Sequence, residues 1–320
     1  MHDVIVIGAG PAGLAAGAYS LSHHLKTLVI APDLGGKAAY RLQLPWLKQR
    51  EVIVGEETVE QLRQQLVEVP EPIRYFDSVQ EVFLHGDMLQ VHTVEGGAFP
   101  ARAVIVATGV TPRTLGVPGE RRLSGFGVSY SAASHAPLFA GRRVVVVGGN
   151  LRAQRAAAEL RATAAHVTLI APDQSDLSSY ALGRQLLQDS RVAVRPDYTV
   201  KEIFGDEFVS GVDAIGPNGE VESFPADGVF IEMGLLSHTD FLGQLVERTN
   251  NGHIVVNAQC ATRCPGLFAA GDISSTAYAE QILIALGEGV KAAISACAYV
   301  LEGVGNNLGG LYEQHTRTTG

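Results

Sequence analysis

Gly8-Ala9-Gly10-Pro11-Ala12-Gly13 follows an apolar run and opens an Ala-rich stretch. Glycine at those three places has a chemical use. Gly8 permits a tight turn, Gly10 lets phosphate oxygens approach the backbone, and Gly13 lets helix and strand pack closely. A helix beginning at Pro11 adds free N–H groups and partial positive charge, so the stretch predicts a pyrophosphate cradle. A second glycine turn reads Gly148-Gly149-Asn150-Leu151-Arg152-Ala153. Its middle glycine is replaced by Asn150, whose side chain would stand where a phosphate should approach, and Leu151 adds bulk. Asn tolerates positive φ, so the backbone is expected to survive while the anion site does not.

The elements that must position these turns repeat. VIVIGAGPAGLAAGAYSLSHHLKTLVIAPD (4–33) and VVVVGGNLRAQRAAAELRATAAHVTLIAPD (144–173) both read strand, glycine turn, Ala-rich helix, strand. Both close on APD, and 25 positions separate Gly8 from Asp33 and Gly148 from Asp173 alike. Two tandem βαβ dinucleotide-binding units follow. Further apolar strands are expected at 103–107, 228–234 and 267–272, with a long helix over 279–300. Such alternation gives parallel sheets with helices on both faces. The Pro/Gly-rich stretch 110–120 reads as a crossover and 236–241 as the return. The expected fold is α/β: two Rossmann-like (three-layer ββα) dinucleotide-binding domains, the second inserted into the first. The first would comprise 1–112 and 240–320, the second 113–239.

Composition narrows the functions. The 320 residues are 46% hydrophobic, and the net charge of −9 lies in no long run. Nucleic acid is an unsuited partner. No apolar run approaches the roughly 18 residues that span a bilayer, and with a strand expected from the second residue no signal peptide is expected. Three cysteines make no disulfide framework, and no Cys/His grouping has metal-site spacing, so no metal is expected. A cytoplasmic location is expected.

Further motifs accompany the first turn: Gly35-Gly36, Ala107-Thr108-Gly109, GVSY at 127–130, Ala270-Gly271-Asp272, Gln281 and GEGVKAA at 287–293. In this order they resemble the low-molecular-weight thioredoxin reductases and the thioredoxin-reductase-like ferredoxin–NADP reductases, from residue 2 to about 295. The resemblance implies FAD and a homodimer. It places FAD against Gly8, Gly10, Pro11, Ala12 and Gly13, the turn Gly35-Gly36-Lys37, and the pair Thr108-Gly109. Gly271-Asp272 would hold the ribityl chain, and Gln281-Ile282 would lie near the isoalloxazine ring. Trp46 and Tyr278 also fall near these motifs, and Tyr312 is the one aromatic of the tail. The adenosine ribose position reads Ala31-Pro32, with Asp33 just beyond.

Two departures from that family matter. Where NADP-dependent relatives carry a basic cluster, this chain has Ala171-Pro172-Asp173-Gln174-Ser175-Asp176, so normal NADPH binding is expected to be lost and NADH to bind weakly or not at all. Asp173 could bond an NAD ribose and Arg152 could offer charge to a pyrophosphate, while Arg155 and Arg161 read as solvated. At the family's C-x-x-C and following acid stand Ser131, Ser134 and His135. Serine cannot form a disulfide, which closes thiol–disulfide exchange there. His135 is either a proton-moving group near the flavin or an exposed histidine beside a helix that Ser131 or Ser134 caps. Cys260 and Cys264, spaced C-x-x-x-C, read as small buried residues.

Three functions are therefore open. One is a flavin oxidoreductase fed by ferredoxin, another flavoprotein or a small molecule. The others are an NAD(P)H-dependent reductase of ferredoxin–NADP reductase type, and a non-catalytic flavoprotein acting as sensor or scaffold.

Overall fold

The computed structural model describes residues 1–40, 42–47, 55–69, 74–277 and 280–302. Its main elements, in chain order, are β1 (His2–Ile7), α1 (Pro11–Ser22), β2 (Thr27–Ile30), β3 (Ala98–Val106), β4 (Arg143–Val147), α2 (Leu151–Leu160), β5 (His166–Ala171), β6 (Gly228–Ile231), β7 (Leu267–Ala269) and α3 (Ile282–Glu302). The two repeats fold alike, as strand, turn, helix and parallel strand. Among the described residues the chain separates into two compact units: Met1–Ala39, Val54–Val110 and Ser237–Gly320 form one, Tyr40–Ile53 and Thr111–Leu236 the other.

In the first unit β2, β1 and β3 run parallel, and β7 pairs with the second half of β3. The first half of β3 pairs instead with an antiparallel hairpin, Val79–His85 and Met88–Thr93. Alternate residues of β1 take opposite faces. Val4 and Val6 join α1 and α3 in one core. Small residues bring those helices together: a Cβ on Gly289 of α3 would lie 2.1 Å from Ala12 O.

The second unit carries a five-stranded parallel sheet, Val192–Pro196, β5, β4, β6 and Val128–Ser129. Here the alternation sorts two layers. Val144 and Val146 pack on Ala153, Ala156, Ala157 and Leu160 of α2. Those four recur at helical spacing and form its apolar stripe. Val145 and Val147 pack on the other side against Val200, Ile203 and Val212. The latter belong to a three-stranded antiparallel sheet, Thr199–Phe204, Gly211–Ile215 and Val221–Pro225. Helices, parallel sheet and antiparallel sheet are the three layers of a Rossmann-like unit of this kind.

Some expectations need correction. Residues 40 and 42–47 fall in the second unit, not the first, because side chains among them anchor there. Tyr40 Oη donates to Val128 O at 2.7 Å, Trp46 Nε1 donates to Leu138 O at 2.9 Å, and Leu44 is buried beside Phe139. Trp46 also lies under the Arg142 guanidinium. The long helix starts at Ile282 and, by length and composition, is apolar enough to cross a bilayer, contrary to expectation. Its apolar character is spent on the core, where Ala285, Leu286, Ala292, Ala293 and Ala296 are buried with α1. Tyr278 and Tyr312 lie outside the described residues.

Candidate nucleotide sites

The first unit brings four separated motifs to one turn. Gly8 has φ +100°, and a Cβ there would lie 2.4 Å from Ala107 O and 2.9 Å from Thr108 Cα. Only glycine fits between β1 and the Ala107-Thr108-Gly109 turn at the end of β3. A Cβ on Gly13 would come within 1.9 Å of Gly8 O. Gly35 N–H donates to Ala9 O at 2.7 Å, and a Cβ on Gly36 would lie 3.1 Å from Gly10 Cα. From the far end of the chain, Gly271 at φ +75° leaves 2.9 Å between its would-be Cβ and that of Ala12.

Gly10 differs from these. A Cβ on it would meet nothing within 4 Å, and its φ −73°, ψ −173° suits any residue. The space over Gly10 is therefore open, at the start of a 12-residue helix whose first N–H groups, on Ala12 and Gly13, have no acceptor within the helix. Gly109, at φ +64°, is equally open. Open room and unspent backbone donors fit the pyrophosphate of a dinucleotide.

Beside this cradle, Lys37 Nζ lies 2.7 Å from Asp272 Oδ2 and 3.7 Å from Glu280 Oε2. Glu288, buried in α3, holds the turn before Asp272. Its Oε2 accepts from Gly271 N–H at 2.8 Å and Ser274 Oγ at 3.2 Å, and its Oε1 from Thr276 Oγ1 at 2.9 Å. Gln281 immediately precedes the last helix, its carbonyl accepting from Ala285 N–H at 3.0 Å. Ile282 packs where Gly55 leaves room, 2.8 Å from the position of a Cβ. Asp33 is exposed beyond β2. Sequence reasoning missed Glu288, although a Glu on an otherwise small and apolar helical face was a usable signal.

The second turn is filled by its own side chains. Asn150 has φ −66° and needs no positive φ, contrary to expectation; the strained place is Gly148, at φ +143°. Asn150 Oδ1 accepts from Ala153 N–H at 3.1 Å, which caps α2, and its Nδ2 donates to Glu232 O at 3.0 Å. Arg152 pairs through Nε with Glu232 Oε2 and donates from Nη2 to Tyr130 O at 3.0 Å. The other oxygen of Glu232 accepts from Ala132 N–H at 2.7 Å, and the residue is 2% exposed. Nothing in sequence reasoning marked Glu232, though a carboxylate closing the buried strand GVFI was the available sign.

Asp173 is engaged as well. It caps the next helix, Gln174–Ser179, accepting from Ser175 N–H at 2.8 Å and Ser175 Oγ at 2.6 Å. Those bonds hold its carboxyl below the usual range. Arg155 is exposed, whereas Arg161 is paired with Asp189 and is not simply solvated.

In the 131–135 segment, Ser131 Oγ donates to Ser134 Oγ at 3.2 Å, and Ser131 makes no side-chain cap. His135 is 5% exposed, which removes the reading of an exposed ring. Its Nδ1 lies 2.8 Å from Ser129 Oγ, itself buried. Burial pushes its pKa down to about 4, so the ring is neutral at physiological pH. Cys260, Cys264 and Cys297 are free, buried thiols. Burial pushes Cys260 up to about 11 and raises the other two. No group of three or more His, Cys, Asp or Glu suited to a metal occurs among the described residues.

The sequence pattern of pyridine nucleotide-disulphide oxidoreductases matches residues 2–293. This chain belongs to that family. The family's known folds include a thioredoxin reductase from Streptococcus pyogenes, 29% identical, with a TM-score of 0.83 over 95% of this chain and 99% of that one. The thioredoxin reductase of T. acidophilum is 30% identical, with a TM-score of 0.62 over 94% of this chain and 99% of that one. Among curated family members, the F component of the Pseudomonas aeruginosa alkyl hydroperoxide reductase is 33% identical over 93% of this chain. The NADH dehydrogenase of Bacillus subtilis is 31% identical, also over 93%. The chain spans 58% of the length of each of these two curated relatives.

Proposed function

We propose that this chain is an FAD-dependent oxidoreductase that draws no electrons from NADPH and exchanges no disulfide at residues 131–135. The cradle around Gly10 supports FAD. Gly8, Gly13 and Gly36 hold its backbone in place, Ala12 and Gly13 offer N–H groups to the pyrophosphate, and Asp272 would hold the ribityl chain. FAD, when bound, supplies the redox chemistry. Ser131 and Ser134 offer hydroxyls where the family's thioredoxin reductases carry sulfur, and the buried, neutral His135 is poorly suited to give up a proton. Electrons then come from a reduced ferredoxin, another flavoprotein or a small molecule. A homodimer, as in thioredoxin reductases, is part of this proposal.

One observation carries the donor reading: the Asn150 side chain takes the Ala153 N–H that a nicotinamide nucleotide's phosphate would need. Anaerobic titration of the purified protein tests it. Flavin absorbance should bleach with reduced ferredoxin and persist with NADPH or NADH. Rapid bleaching by NADPH would refute it.

A second reading, an NADH-dependent flavin reductase, is favoured by the relatives named NADH dehydrogenase and alkyl hydroperoxide reductase. It predicts ferricyanide reduction at low NADH, which the first reading forbids.

A further inference from the structure

The two glycine turns share a backbone and differ in their side chains. Gly10 (φ −73°, ψ −173°) and Asn150 (φ −66°, ψ 171°) adopt one extended conformation ahead of their helices. Gly8 at φ +100° and Gly148 at φ +143° open the two turns, and small residues, Gly13 and Ala153, close them. The obstruction in the second turn is made by three side chains. The Asn150 amide sits on the helix N–H. Arg152, the nearest cation, is already bound to Glu232. The Glu232 carboxylate that holds it is 2% exposed and also accepts from Ala132 N–H at 2.7 Å. An anion would meet an occupied donor and a guanidinium whose charge is already neutralised.

Resting on the reading that the natural chain takes no nicotinamide nucleotide, we propose that Asn150, Arg152 and Glu232 form a removable lock over a latent NADH site. The class of nucleotide follows from the end of β5. Asp173 follows Ala171-Pro172 just beyond the usual place of a ribose-binding carboxylate, as Asp33 does in the first unit, with Asp176 three residues on. Two carboxylates there accept ribose hydroxyls and repel a 2′-phosphate, so the opened site takes NADH in preference to NADPH. Glu232 is the controlling member. Its carboxylate holds Arg152, so E232A or E232Q releases that ion pair, whereas the Asn150 amide bonds its main-chain carbonyl and leaves only when Asn150 itself is replaced.

The test is isothermal titration of the full chain with NADH and with NADPH, read as binding and not as turnover. The natural protein should show no saturable uptake. N150G/R152A/E232A should bind NADH, with NADPH at least about tenfold weaker. E232Q keeps an acceptor for Ala132 N–H while releasing Arg152, and should gain weaker but saturable NADH binding. A triple variant that melts cooperatively and binds neither nucleotide overturns the lock. Should the triple variant fail to fold, E232Q decides: NADH uptake supports the lock and none overturns it. Equal affinity for NADPH and NADH in the opened site overturns the assignment to Asp173. Saturable NADH binding by the natural chain sinks the donor reading and the lock together, whereas silence of natural chain and variants sinks the lock alone.

Discussion

Asn150 Oδ1 lies 3.1 Å from the Ala153 amide nitrogen, so the helix end that would receive a phosphate is closed by a residue of its own turn. The same side chain reaches Glu232 O with its Nδ2. One amide thus performs two structural tasks where glycine in the first unit performs none.

Removing that amide should cost stability. N150A loses a cap worth about 1 kcal/mol and also the bond to Glu232 O. Urea denaturation should show a loss of about 1–2 kcal/mol. N150S restores the cap without the second bond and should recover about half of it. An N150A protein as stable as the natural one would show that the cap is idle.

The two glycines of the first turn should part company. G10A places a methyl in open space. Its stability should change by less than about 0.5 kcal/mol, since the poorer cap is offset by a stiffer unfolded chain. Its flavin content after reconstitution should nonetheless fall sharply. G13A drives a Cβ toward Gly8 O and should lose at least about 2 kcal/mol. Flavin absorbance per protein, measured beside the denaturation midpoint, separates the two effects. Full flavin retention in G10A would move the pyrophosphate away from this turn.

His135 makes stability depend on pH. Burial lowers its folded pKa to about 4, from an ordinary 6.5. The unfolded chain therefore binds a proton that the folded chain refuses between those values, so folding stability falls as pH drops from about 6.5 to about 4. The contribution is on the order of 3 kcal/mol in total. Above pH 7 it is fully present. Urea midpoints measured at pH 7.5, 6, 5 and 4 should fall more steeply in the natural chain than in His135→Gln. Identical slopes in the two proteins would place the imidazole in contact with water.

The thiols should be inert in the folded protein. Cys260 is fully buried with its pKa near 11, so almost no thiolate exists at pH 7.5. Brief iodoacetamide treatment followed by mass spectrometry should find all three cysteines unmodified in the native protein and alkylated after denaturation. Fast native labelling of Cys260 and Cys264 would revive them as a redox pair.

The sequence by itself determined the duplicated βαβ design. The 25-residue spacing, the glycine turns and the alternating valines are local, and local sterics decide turns, pleats and helix stripes. It also determined the cradle, because Gly8, Gly13 and Gly36 answer to close backbone approaches that few other residues survive. Only the tertiary structure decided what fills the second turn. Glu232 lies 80 residues from Arg152 and 100 from Ala132, and no periodicity ties such positions together. The same holds for Trp46, whose indole found its acceptor on Leu138, and for the last helix, whose apolar length is explained by α1 packed against it. Charges and ring donors choose partners by proximity in space, and proximity between distant segments exists only once the chain has folded.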